Sequence, residues 1–174
     1  MPSSCTTSCS FFPLRPGKFS LTFKWSFVGK QEKHCDPDDP ADTKQGDHWD
    51  HVALDAEHRL VVSVVPGKRT TENTERLMKD FKQRTGGKRM NLITSDEYAP
   101  YETAILKAYG RKIVPSPTGK PGRPKSVDSV PAADLNYATV QKTRKQGRVV
   151  KIDFRVVFGT LAAVQAALAV SLVA

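Results

Sequence analysis

Apolar and polar positions alternate through residues 19–28, FSLTFKWSFV, and the wealth of aromatic and β-branched side chains there predicts a strand. The following stretch, KHCDPDDPADTKQGD, holds too much Pro and Asp for regular pairing and predicts an irregular acidic loop. Alternation returns at 48–54 and 59–65, which read as a hairpin about a turn at 55–58, closed by Pro66 and Gly67. The period then lengthens. Leu77, Met78 and Phe81 fall on one face of a helix capped by Thr70 or Thr71, running to about Arg84 and stopped by Gly86 and Gly87. A short apolar run from Met90 to Thr94 ends in Ser95-Asp96-Glu97, and Pro100 opens a second helix through Tyr101, Ile105, Leu106 and Tyr109.

Beyond Gly110 the pattern breaks down. Five prolines (115, 117, 121, 124 and 131) predict a basic, Pro/Gly-rich insertion at about 111–135 with no regular structure. Residues 137–142 and 149–158 read as a second hairpin about a basic turn at 143–148, and an Ala-rich helix starts near Thr160. No internal repeat is present. Strands, helix, strand, helix, hairpin and helix are most economically packed as a mixed sheet with helices on it, so the expected fold class is α/β.

At 174 residues, 39% of them hydrophobic, the chain has room for one domain with a modest core, expected over 19–174 behind a disordered leader at 1–18. The net charge of +9 suggests a polyanionic partner, because clustered Lys and Arg release counterions from nucleic acid. That charge is unevenly spread. Residues 111–151 hold ten basic and two acidic residues, net +8, whereas 31–60 hold three basic and nine acidic, net −6. Three cysteines, Cys5, Cys9 and Cys35, cannot form a paired framework and fit a reducing compartment, so a cytoplasmic location is expected.

Several phrases together resemble the catalytic domain of DDE transposases of the insertion-sequence-one type. They are Lys24-Trp25-Ser26-Phe27-Val28-Gly29-Lys30, the hairpin from His51-Val52-Ala53-Leu54-Asp55 to Val64, the strand end Ser95-Asp96, and the stretch from Tyr137-Ala138-Thr139-Val140-Gln141-Lys142 to Gly159. The likeness covers roughly residues 24–174. It implies a ribonuclease-H-like mixed sheet with flanking helices, in which two Asp and one Glu hold two Mg²⁺ or Mn²⁺ ions for cleavage and strand transfer of DNA. Such chemistry needs one metal to activate the attacking oxygen and another to steady the leaving one, both on hard carboxylate ligands.

The resemblance places the first Asp in an Asp-Glu pair just before the Lys24-Trp25 phrase, where this chain has Thr22 and Phe23. The second Asp corresponds to Asp96, the one metal ligand and catalytic residue expected here. The third position, a Glu beyond the Ala-rich helix, falls past Ala174, so the fold is expected to be incomplete at its C-terminus. With two of three carboxylates missing, the expectation is a transposase fragment that holds no productive metal pair. Asp55, on the second strand, is expected to shape the hairpin, and neither it nor Asp50 is expected to substitute as a ligand. Expected partners are transposon-end DNA and, as a hetero-oligomer, intact transposase. A regulator or inhibitor derived from a transposase is the alternative.

Other constellations weigh less. Lys120, Arg123 and Lys125 sit in a Pro-Gly-Arg-Pro-Lys stretch resembling a minor-groove hook, against which stands the reading of a solvated basic linker. Lys142, Arg144, Lys145 and Arg148 form a tighter cluster, expected at a hairpin tip where they meet phosphates without reading sequence. His34, Cys35, His48 and His51 lack zinc-site spacing. Residues 156–174 carry no charge, which raises a tail-anchor reading; Leu161, Val164, Leu168 and Leu172 keep helical spacing, and a helix packed on the sheet is preferred.

Overall fold

In the computed structural model, which describes residues 17–113 and 128–169, the opening alternation becomes strand β1, Lys18–Val28, one residue longer at its start than the pattern predicts. Phe19 and Leu21 are fully buried beneath the helices, and Ser20 and Thr22 alternate onto the other face of the sheet. Strand β2 (Gly46–Asp55) runs back antiparallel, with Phe19 opposite Asp55 and Val28 opposite Gly46. Strand β3 (Leu60–Gly67) completes the meander, with a register shift at Ala53/Leu54. The acidic segment between β1 and β2 is irregular apart from two short 3-10 turns, Glu32–His34 and Asp42–Lys44.

Helix α1 (Thr71–Arg84) is capped by Thr70, whose hydroxyl accepts the Asn73 amide at 3.3 Å. Its buried stripe of Leu77, Met78 and Phe81 lies on the sheet, Phe81 meeting Phe19 edge to face at 5.0 Å between centroids. Asp80 accepts from the buried Ser63 hydroxyl of β3 and from Arg84 at 2.7 Å, which fixes the helix over the meander. Strand β4 (Leu92–Ser95) then pairs parallel with β1, as a right-handed crossover through α1 allows. Helix α2 (Pro100–Tyr109) begins on its proline and buries Tyr101, Ala104, Ile105 and Tyr109 in the same core as α1.

The insertion departs from the expected irregular loop at its two ends. Strands β5 (Arg111–Ile113) and β6 (Asp128–Val130) pair antiparallel as a separate ladder, because extended backbone on either side of the prolines can still exchange hydrogen bonds. Strands β7 (Tyr137–Lys145) and β8 (Arg148–Phe158) form the second hairpin. The main sheet has the order β3-β2-β1-β4-β7-β8, with α1 and α2 on one face. Helix α3 (Leu161–Ala169) lies on the other face, where Val164 packs on Leu92 and Ala138.

The uncharged run that suggested a membrane anchor is not one element. Its first residues close β8, Gly159 turns the chain at φ +90°, and the Thr160 hydroxyl accepts the Ala163 amide at 3.2 Å to start α3. Among the described residues, no helix is long and apolar enough to cross a membrane.

Candidate nucleic-acid interface

Strands β1, β4 and β7 are parallel, so all three end at the same edge of the sheet. The shared ladder stops where Leu21 pairs with Ser95 and Ser95 with Thr139. β4 ends there, but its neighbours do not. β1 continues to Val28 with β2 as partner, and β7 continues to Lys145 with β8 as partner. At about 3.3 Å per residue each arm reaches roughly 20 Å past the sheet, and the missing β4 leaves them roughly 10 Å apart at the base. With no strand between them past Ser95, the two hairpins flank a cleft beyond the end of β4.

The floor of that cleft is the turn after β4. The Ser95 hydroxyl and the Tyr137 hydroxyl share a hydrogen bond at 2.7 Å, and the Tyr101 hydroxyl donates to the Thr22 carbonyl at 3.4 Å. Burial pushes both phenols above their ordinary titration range, so they act as neutral hydrogen-bonding groups. Glu97 accepts from Gln141 of the β7 arm, and the Tyr98 hydroxyl donates to the Arg69 carbonyl at 3.3 Å beside the β1 arm. The floor therefore ties the two arms together.

Asp96 lies on this floor, exposed, one residue past Ser95. Thr22 lies one residue past Leu21, so the parallel register sets the two positions next to each other on neighbouring strands. Asp50 pairs with Lys24 across β1 from β4, leaving a strand between it and Asp96. Asp55 is at the opposite end of the sheet. It is buried in the β2–β3 turn, accepting the Glu57 and His58 amides at 2.9 and 3.2 Å and the His58 ring at 2.8 Å. Its lone pairs hold the turn, and no path brings it to Asp96. Among the described residues no three His, Cys, Asp or Glu side chains converge as a metal site, and the set His34, Cys35, His48 and His51 is no exception.

The first arm is aromatic on the face shared with α1 and α2. Phe23, Trp25 and Phe27 follow one another at alternate positions of β1, and Trp49 pairs directly with Trp25. Phe23 is boxed in by Tyr101, Tyr98 and His51, with ring centroids 5.1, 4.9 and 4.7 Å away. The Arg69 guanidinium sits over Tyr98, Phe23 and Trp49 at 4.3, 4.9 and 5.3 Å. Further out, Trp25 and Phe27 stand 42% and 48% exposed with ring centroids 5.8 Å apart. His51 is buried and gives Nε2 to the Lys68 carbonyl at 3.2 Å; burial holds its pKa below the usual imidazole value.

The second arm is basic, with Arg144, Lys145 and Arg148 beside its turn and Lys142 further down the strand. The turn is only Gln146-Gly147, both with positive φ (49° and 77°), so the strands run further than the pattern predicts and Lys145 pairs with Arg148. All four predicted residues are exposed. Cross-strand pairs share a face, and a register shift between Thr143 and Arg144 sorts the charges. Lys142 and Arg144 lie on the α3 side with Ile152 and Val149. Lys145 and Arg148 lie on the α2 side with Lys151 and Arg155, opposite Thr143 and Thr139, and with Asp153, opposite Gln141, which pairs with Lys151 at 2.8 Å. Sequence pattern alone did not single out the last two basic residues. Their signal is their spacing of four along one strand, which only a fixed register turns into a shared face. Lys120, Arg123 and Lys125 lie outside the described residues.

No family model matches this chain, and no curated protein matches it either. Function has to be read from these residues themselves.

Proposed function

We propose that the chain is a DNA-binding remnant of an RNase-H-like transposase catalytic domain, able to hold DNA in the cleft between its arms and unable to cut it. The observation that carries this reading is the β1–β4 register, whose last pair, Leu21 with Ser95, leaves Thr22 and Asp96 each one residue beyond it on neighbouring segments. The family resemblance expects two metal-binding aspartates at these positions, and here one of them is a neutral hydroxyl. The strand order β3-β2-β1-β4-β7, with a helix crossing on either side of β4, supports the RNase-H-like assignment within the broader α/β class.

The described residues do not fit a pair of divalent ions. Mg²⁺ and Mn²⁺ are held by several oxygen anions, and Asp96 has neither an aspartate at position 22 nor a converging Asp50 or Asp55. No cleavage step is therefore assigned. What remains is electrostatic. Lys145, Arg148, Lys151 and Arg155 outnumber the one acidic residue on their face, Asp153, which pairs with Lys151, and this net positive strip suits phosphate binding without sequence choice.

Purified full chain, mixed with insertion-sequence-end duplex and Mg²⁺ or Mn²⁺, should retard the DNA at low salt and leave it intact. Nicked or joined products that vanish in Asp96→Ala would overturn the reading of inactivity, and no retardation at any salt concentration would overturn the reading of DNA binding.

A further inference from the structure

The two arms present different chemistry on the same side of the sheet. Phe23, Trp25, Phe27 and Trp49 alternate onto the α1/α2 face, where Phe23 packs with Tyr101 in the core beneath those helices. Lys145, Arg148, Lys151 and Arg155 pair on the face that Thr139 shares, and Thr139, Arg155 and Val157 line a cavity of about 160 Å³ with Glu102 of α2. An aromatic surface and a cationic surface thus stand either side of one cleft. A ligand spanning both would need flat apolar groups along one edge and anionic groups along the other.

We propose that Trp25 and Phe27, backed by the Arg69-capped Trp49, form a stacking platform for unpaired bases of single-stranded DNA, whose phosphates run along Lys145, Arg148, Lys151 and Arg155. This rests on the DNA-binding reading above and adds the form of nucleic acid that the cleft takes. A duplex hides the faces of its bases; a single strand offers them, and every base has a face to stack. The platform is firm as well as exposed. Arg69 is clamped over Phe23, Trp49 and Tyr98 at the inner end of the stripe, so the inner rings are fixed while Trp25 and Phe27 stay open. Near the platform Glu32 pairs with Lys68 and Asp42 pairs with Lys30 at 2.6 Å. On the cationic face Asp153 pairs with Lys151 at 2.8 Å, so a phosphate reaching Lys151 displaces that carboxylate.

The molecule carries its own reporter, because its only two tryptophans, Trp25 and Trp49, are both in the platform. The full chain is titrated with three probes of equal length, about fifteen nucleotides: oligo-dT, an abasic strand of the same charge, and a duplex. Oligo-dT should quench tryptophan emission and bind more tightly than the abasic strand. Phe27→Ala, which keeps both reporters, should weaken oligo-dT roughly tenfold while leaving abasic-strand affinity and the salt dependence unchanged. Trp25→Phe, which keeps a ring, should retain most of the affinity, and thermal melts check that each variant folds. Equal affinity for oligo-dT and the abasic strand, without quenching, overturns the platform and leaves DNA binding standing. No binding of any probe overturns both. Concentration-dependent self-association that disappears in Phe27→Ala assigns the face to a second copy of the chain and also overturns the platform.

Discussion

The two arms flanking the end of β4 share a topology and differ in nearly everything else. The β1–β2 arm is aromatic and pinned at its root, with Phe23 surrounded by Tyr98, Tyr101, His51, Trp49 and the Arg69 guanidinium. The β7–β8 arm has no such root. From Gln141 to Ile152 every residue is exposed, and Val149, Val150 and Ile152 stand in solvent between Lys and Arg. A long hairpin can therefore leave a sheet in two ways: anchored by packing, or carried by cross-strand pairing alone with charge keeping its edge soluble. The first suits a surface that must present rings in fixed positions. The second suits one that follows a charged chain.

The largest effect that separates the arms should come from truncating one phenylalanine in each. Phe23→Ala removes the ring at the centre of the anchored root and should cost about 3 kcal/mol of unfolding free energy. Phe154→Ala, at a ring 47% exposed, should change stability by less than about 0.5 kcal/mol. Chemical denaturation of the two variants measures both, and equal losses would erase the contrast.

Acid should loosen the anchored arm selectively. Burial, reinforced by the charge of nearby Arg69 and only partly offset by the Lys68 carbonyl, holds the His51 pKa below the unfolded value of about 6.5. Below that pH the unfolded chain binds more protons than the folded one, so this contribution to stability is complete above about 6.5 and is lost as pH falls towards the folded pKa. Melting temperatures followed from pH 7.5 to 5 should decline in the native chain, and His51→Gln should flatten that part of the profile.

Charge reversal should act on the other arm without touching stability. Lys145→Glu with Arg148→Glu should weaken DNA binding and reduce the slope of log affinity against log salt by roughly 0.9 for each phosphate no longer neutralised, as fluorescence anisotropy would record. The melting temperature should move little, since both residues are exposed and their strand partners are each other. The smallest effect belongs to Lys142→Ala. It lies on the α3 side, away from the cationic run, and its salt slope should match that of the native chain.

Much of the fold was legible because its signals are local. Thr70, the Leu77, Met78 and Phe81 stripe and Pro100 each announce an element within a few residues and stand where the pattern puts them, while the strand expected over 90–94 is Leu92–Ser95 and stops one residue before Asp96. The second hairpin was legible in position but not in length. Its outer strands are Lys, Arg, Thr and Gln, which show no apolar alternation, so nothing in the pattern marks Gln146-Gly147 as a two-residue turn inside a basic segment. The β5–β6 ladder was hidden by the prolines between its strands. Site geometry was the least accessible. That Arg69 caps Phe23, Trp49 and Tyr98, or that Lys151 and Arg155 join Lys145 and Arg148, depends on registers between distant segments and on a bulge that no single segment encodes.

The proposal that Asp96, with Thr22 as its neighbour, holds no metal pair can be tested without DNA. Free Mn²⁺ has a sharp paramagnetic resonance that collapses on binding, so titrating the ion into the full chain counts ions held. At protein and metal concentrations of about 0.1 mM, where even weak sites built of several oxygen ligands begin to fill, the free-ion signal should match a protein-free control. Two ions taken up per chain, and released by Asp96→Ala, would contradict the account.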